Sequence, residues 1–442
     1  MEHIVIIGNG IAGITAARHI RKRSDCRITV ISGETEHFFS RTALMYIYMG
    51  HMTYGHTKPY EDWFWEKNRI TLKRAWVKAV DFAAKTVQYD YGEKVQYDKL
   101  VIATGSTSNK FGWPGQDLAG VQGLYSYQDL ERMEERTRGI RHAVVVGGGL
   151  IGIEMVEMLH SRGIPVTFLV REANFWDIVL PREEAEMIDR HIRTHGIDLR
   201  LETELREIVD DGSGAVKAVV TGAGEMIDGQ FVGLTVGVSP NVAFLKGTDV
   251  KIEKGIVVDD FLQTNVPDVY AIGDCAQIGQ PQAGRKAIEA VWYTGRMMGE
   301  TVAQTLTGKP TRYDPGVWFN SAKFFDIEYQ TYGTVSAQRG EKEADFYWAH
   351  GTENICLRIR YDQETQSVVG VNCLGMRMRH EVAERWIKEK RTVAYALEHL
   401  EDANFDPEFY KKFSGEIIGK YNSENGTDLR VRKKSWKRIL MH

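Results

Sequence analysis

The feature that most constrains this chain is a strand–turn–helix unit that occurs twice. Ile4-Val5-Ile6-Ile7 is a continuous apolar run, Gly8-Asn9-Gly10-Ile11-Ala12-Gly13 follows, and a helical stretch extends to about Arg23. Later, Ala143-Val144-Val145-Val146 leads into Gly147-Gly148-Gly149-Leu150-Ile151-Gly152 and a helix to about Arg162. A second strand closes each unit, at Ile28–Ile31 and at Pro165–Val170. Runs that are apolar at every position fit parallel strands buried on both faces. In such a unit the first glycine permits a tight turn, the second lets backbone approach a pyrophosphate, and the third lets helix pack on strand. The helix N-terminus adds unpaired N–H groups and about half a positive charge. Glycine supplies 43 of 442 residues, so three fixed glycines recur by chance at roughly one position in a thousand, and context must decide. Two matches in the same strand-to-helix frame predict two dinucleotide folds in tandem.

The spacing nominates binding residues. Gly8, Gly10, Ile11, Ala12 and Gly13 form one phosphate turn, and Gly147, Gly149, Leu150, Ile151 and Gly152 the other. Glu34, beyond the second strand, is placed to accept a ribose hydroxyl. Arg171 and Glu172 stand at the equivalent place in the second copy. An acid there suits the 2′-hydroxyl of NAD and an arginine the 2′-phosphate of NADP. Glu172 is in register with Glu34, which tips the reading toward NADH.

Between the copies, Ile70–Leu72, Val77–Val80 and Thr86–Tyr89 read as small antiparallel strands, and residues 199–236 repeat that texture. From about Tyr313 aromatics accumulate, as in a separate α+β domain. The expected fold is α/β: two Rossmann-like dinucleotide-binding domains plus a C-terminal α+β domain. The first is split between residues 1–112 and 239–312, the second spans 113–238, and the last runs over 313–442.

Composition narrows the class. Net charge is −4, with 56 basic and 60 acidic residues, so no global basic field points to nucleic acid. No apolar window is long enough for a transmembrane helix. The first strand starts at Ile4, which leaves no room for a leader. Cys26, Cys275, Cys356 and Cys373 form no close pair, so a reduced, cytoplasmic protein is expected.

Taken with two further segments, the glycine motifs resemble those of the FAD- and NAD(P)-dependent pyridine nucleotide oxidoreductases. Tyr97–Gly105, ending Ala103-Thr104-Gly105, resembles the strand and turn where that family's chain meets FAD. Thr264–Asp274 is similar to its TxxPxIYAxGD segment. The resemblance implies that Asp274 accepts a bond from the ribityl chain, with Thr104 and Gly105 beside it. It implies FAD at the first fold and NAD(P)H at the second.

Within the family, the disulfide-reductase branches carry one or two cysteines after the first unit, where this chain has Phe38-Phe39-Ser40-Arg41-Thr42-Ala43-Leu44-Met45-Tyr46. That stretch resembles the PYxRPxLSK segment of the ferredoxin- and rubredoxin-reductase branch. Arg41 matches its arginine. The lysine position falls on Tyr46, and its glutamate partner near the flavin is matched by Glu154. Tyr46 supplies no positive charge, so two arrangements are open: Glu154 hydrogen-bonded to Tyr46, or Glu154 as an isolated acid of raised pKa. Val317–Ile327 resembles the WFWSDQY segment. Trp318, Phe319 and Ser321 match, while Asn320 and Ala322 depart, which implies a third domain covering the flavin with an altered acceptor pocket.

The resemblance implies an enzyme that takes hydride from NAD(P)H and passes electrons to a carrier such as ferredoxin or rubredoxin. A quinone or oxygen reductase, and a flavin-based redox sensor, are the alternatives, and a homodimer is left open. Two weaker signals remain. His191 and His195 have a metal-binding i, i+4 spacing, but no HExxH glutamate accompanies them and Gly196 follows, so a helix-end role is expected and no metal. The tail from Leu429 carries Arg430, Arg432, Lys433, Lys434, Lys437 and Arg438, a basic stretch that reads as a surface helix or frayed end, or as a dock for an acidic electron carrier or an anionic membrane surface.

Overall fold

The computed structural model describes residues 1–282, 284–405 and 411–432. The chain divides into two compact units, one of residues 1–171 and 202–315, the other of 172–201 and 316–442.

In the first unit both tandem repeats fold as expected. Strand β1 (His3–Ile7), helix α1 (Ile11–Arg21) and strand β2 (Arg27–Ser32) make the first. Helix α2 (Leu44–Tyr48), strand β3 (Ile70–Arg74) and strand β4 (Lys99–Ile102) follow. Strand β5 (Ala143–Val146), helix α3 (Leu150–Ser161), strand β6 (Val166–Leu169) and strand β7 (Phe231–Leu234) make the second. Strand β8 (Val269–Ala271) returns to the first sheet. That sheet runs β8-β4-β1-β2-β3, all parallel. The second sheet contains β6-β5-β7 with Val121–Gln122 beyond β7, again parallel.

Ile70–Leu72 was expected in a small antiparallel sheet, yet β3 pairs in parallel with β2, Ile70 beside Ile28 and Leu72 beside Val30. Its side chains alternate because β3 is the edge of the sheet and shows one face to solvent. Val77–Asp81 and Thr86–Tyr89 do pair antiparallel. Likewise Leu205–Asp210 and Val216–Thr221 form an antiparallel pair, but Phe231–Leu234 of the same region joins the parallel sheet.

The second unit is built on an antiparallel sheet. Strands β9 (Phe319–Phe324), β10 (Ile327–Gly333), β11 (Glu343–Ala349), β12 (Cys356–Asp362) and β13 (Val368–Leu374) take the order β9-β10-β13-β12-β11. Leu357, Ile359, Val371 and Trp386 lie in its core. Helix α4 (Arg182–Thr194) belongs to this unit, although its sequence lies inside the expected nicotinamide domain. It is tied there by a buried network. Glu184, fully buried, accepts from Arg358 Nε at 2.8 Å and from Asn372 Nδ2 at 2.8 Å.

Candidate cofactor site

The first glycine turn has the steric signature expected of a phosphate cradle. Gly8 has φ +108°, and a Cβ there would stand 2.1 Å from the carbonyl oxygen of Ala103. Gly13 packs so closely that its Cβ would meet Gly8 O at 2.1 Å. Gly10 differs, because a Cβ built on it meets nothing within 4 Å. The second copy repeats all three. Gly147 has φ +116° under Thr235 O, Gly152 is pressed on Gly147 O at 2.2 Å, and Gly149 faces open space. Gly10 and Gly149 are the N-caps of α1 and α3, and no side chain caps either helix. The first N–H groups of both helices therefore point where the middle glycine leaves room, as a pyrophosphate requires.

Asp274, Thr104, Gly105, Glu34 and Arg41, which the resemblance assigns to the flavin site, lie on the same unit. Gly273, φ +73°, would carry a Cβ 3.0 Å from Ala12 Cβ, which brings the turn holding Asp274 onto the start of α1. Helix Trp292–Leu306 packs on α1, and Gly299 allows the close crossing, with Ala12 O 2.6 Å from its would-be Cβ. Asp274 accepts from Tyr125 Oη at 3.0 Å and from Ser106 Oγ at 3.3 Å. Burial raises its pKa, against the pull of those two bonds and of Arg41. Thr104 donates to Asn241 O at 2.7 Å, and Gly105, φ +67°, lies under the Tyr125 hydroxyl.

Glu34 and Arg41 form a two-bond fork, Nη1–Oε1 at 2.7 Å and Nη2–Oε2 at 2.6 Å, and Tyr127 N adds 2.8 Å to Oε1. Oε2 keeps a lone pair for a further donor such as a ribose hydroxyl. Sequence reasoning missed Tyr125. It lies in a loop with no motif around it, yet its ring lies against the Arg41 guanidinium at 4.6 Å and its hydroxyl meets Asp274. Burial raises its pKa, and the charge of Asp274 adds to that.

Tyr46 lies on α2 and Glu154 on α3, and these helices pack together. No hydrogen bond joins the two side chains among the described residues. Burial and the neighbouring Glu157 push the Glu154 carboxyl up to about 7. Arg171 is exposed and Glu172 half-buried just past β6. Trp318, in the second unit, is half-buried and its carbonyl accepts from Gly333 N at 2.7 Å. Cys275, Cys356 and Cys373 are buried and Cys26 is half-buried, and no two are bonded. The basic tail from Lys433 lies outside the described residues. No described helix is long and apolar enough to cross a membrane.

Two Rossmann-like folds, each with an open middle glycine at an uncapped helix start, define a protein that binds two dinucleotides. The chain belongs to the pyridine nucleotide-disulphide oxidoreductase family, which it matches over residues 2–299. That makes it an FAD- and NAD(P)H-dependent oxidoreductase by class. It is similar to the NADH oxidase of Methanocaldococcus jannaschii, 31% identical over 339 residues, 73% of this chain and 74% of that protein. It is also similar to rhodocoxin reductase of Rhodococcus erythropolis, 30% identical over 335 residues, 73% of this chain and 76% of the other. The fold is that of the NAD-dependent persulfide reductase from A. fulgidus, at a TM-score of 0.82 and 24% identity over 96% of this chain and 84% of that one. The chain spans only about a third, 36% and 34%, of two longer Bacillus subtilis relatives.

Proposed function

We propose that this chain takes hydride from NAD(P)H onto a bound FAD and hands the electrons to a protein carrier of the ferredoxin or rubredoxin type. The observation that carries the reading is the pair of open glycine cradles, each at a helix start, with Asp274 brought onto the first. Bound FAD would supply the step from two-electron to one-electron transfer. The chain's own residues do the rest. The N–H groups at the start of α1 hold the FAD pyrophosphate, Glu34 a ribose hydroxyl and Asp274 the ribityl chain. Arg41 fixes Glu34 in place. The start of α3 holds the nicotinamide nucleotide, with Glu172 on its ribose and Arg171 at the edge. Glu154, on the helix that packs against the helix of Tyr46, is a protonatable acid able to hold or release a proton near neutral pH.

The absence of any cysteine between Cys26 and Cys275 supports direct exit of electrons from the flavin rather than a thiol relay. Similarity to rhodocoxin reductase supports a protein carrier as acceptor. Similarity to an NADH oxidase favours a second reading, in which the acceptor is dioxygen. A paired assay separates them. With NADH, the carrier reading expects turnover on ferredoxin or rubredoxin to exceed oxygen consumption by more than tenfold, on the order of 1.4 kcal/mol in barrier. Oxygen uptake that matches NADH oxidation, unchanged by added carrier, overturns it in favour of the oxidase.

A further inference from the structure

The geometry points to a divalent transition-metal site, of the class that binds zinc, formed by His191, His195 and Asp326 in the second unit. The sequence shows only an i, i+4 histidine pair, and the third donor lies 135 residues beyond His191. His191 stands in the last turn of α4, and His195 follows as its C-cap. Asp326 is at the tip of the turn between β9 and β10. The ligand atoms of all three lie within 4.8 Å of one another.

The details fit a cation better than a helix end. The two Nε2 atoms face each other at 3.3 Å. A tetrahedral ion with metal–nitrogen bonds of about 2.0–2.1 Å sets two nitrogens roughly 3.3–3.4 Å apart. Asp326 Oδ1 reaches His191 Nε2 at 2.5 Å and His195 Nε2 at 3.6 Å. Asp326 is exposed and at a turn tip, so it has room to withdraw from His191 and admit an ion. His191 is buried and braced from behind, because the Asn354 amide lies 3.1 Å from its Nδ1. The amide nitrogen Nδ2 faces Nδ1 in the structure, and turning the amide over puts its oxygen there, where it accepts Nδ1–H and leaves the Nε2 lone pair to the cluster. That is how an outer contact fixes a ligating imidazole.

The turn itself is held against its own preference. Phe325 has φ +55°, and its ring lies 4.1 Å from that of His195. This contact keeps Asp326 beside the histidines. Two imidazoles and one carboxylate leave a fourth position to solvent, a donor set that suits zinc rather than calcium or magnesium.

The test is calorimetric titration of untagged, flavin-loaded full chain with Zn²⁺, and with Mg²⁺ as the contrast. The expected result is one Zn²⁺ bound per chain and no Mg²⁺. Asp326 is exposed and His195 half-buried, and Asp326→Asn and His195→Gln are each expected to weaken Zn²⁺ by more than roughly tenfold while the flavin spectrum stays that of the wild type. No saturable binding, or binding that both variants leave unchanged, overturns the site.

Discussion

Asp274 is the residue on which the proposed FAD site is most directly tested. It is half-buried, and its two bonds come from Tyr125 and Ser106. A hydrogen bond to a charged group is worth about 1.5–3 kcal/mol, so Asp274→Ala should weaken FAD by roughly 10- to 150-fold. Flavin-to-protein absorbance ratio after dialysis reads this directly, and an unchanged ratio removes Asp274 from the site. Glu154 gives a pH signature. Its carboxyl titrates near 7 against an ordinary 4.5. The folded state therefore holds more protons than the unfolded one between those values, and stability falls as pH rises through that window. Glu154→Gln should remove that fall in denaturant melts at pH 5 and pH 8. It should also flatten any inflection near pH 7 in the rate of flavin reduction. Asp274, Glu34 and Arg41 were legible because each sits in a motif. Tyr125 was not, since it reaches Asp274 across 149 positions from a loop without pattern.

At the scale of elements, the two glycine turns separate binding from folding. Gly10 and Gly149 have negative φ, near −68° and −113°, and open space at Cβ. Alanine fits both backbones, and the methyl occupies room meant for phosphate. Gly10→Ala should fold yet lose FAD, whereas Gly149→Ala should keep FAD and raise KM for the nucleotide. Stopped-flow reduction of both variants checks the assignment, and an equal loss in both contradicts it. Gly13→Ala should instead fail to fold, since its methyl meets backbone at 2.1 Å. Elsewhere the elements depend on partners far along the chain. Removing Arg358 leaves the buried Glu184 with no opposite charge and only the Asn372 amide as partner, so Arg358→Ala should cost about 3–5 kcal/mol in a denaturant melt. The parallel strands with apolar residues throughout were readable from the sequence. Strand β3 was misread because an edge strand alternates like an antiparallel one. The link between α4 and the later sheet was not readable, because it rests on a buried Glu–Arg pair 174 positions apart.

For the whole molecule, duplication explains the architecture. One strand–turn–helix design is used twice in one compact unit, and the sequence carries both copies openly. Among the described residues the second unit shows no such repeat. Its aromatic content announced a separate α+β domain, but its sheet order and its share of residues 172–201 come from packing alone. The reaction proposed for this chain needs both cradles occupied together and connected by hydride transfer. It is tested by anaerobic titration of the purified chain with NADH and NADPH, following the oxidised flavin band near roughly 450 nm. The expected result is a flavin band that one nucleotide bleaches at about one equivalent per chain, NADH before NADPH. A protein that carries no flavin, or a flavin band that neither nucleotide bleaches, would contradict it.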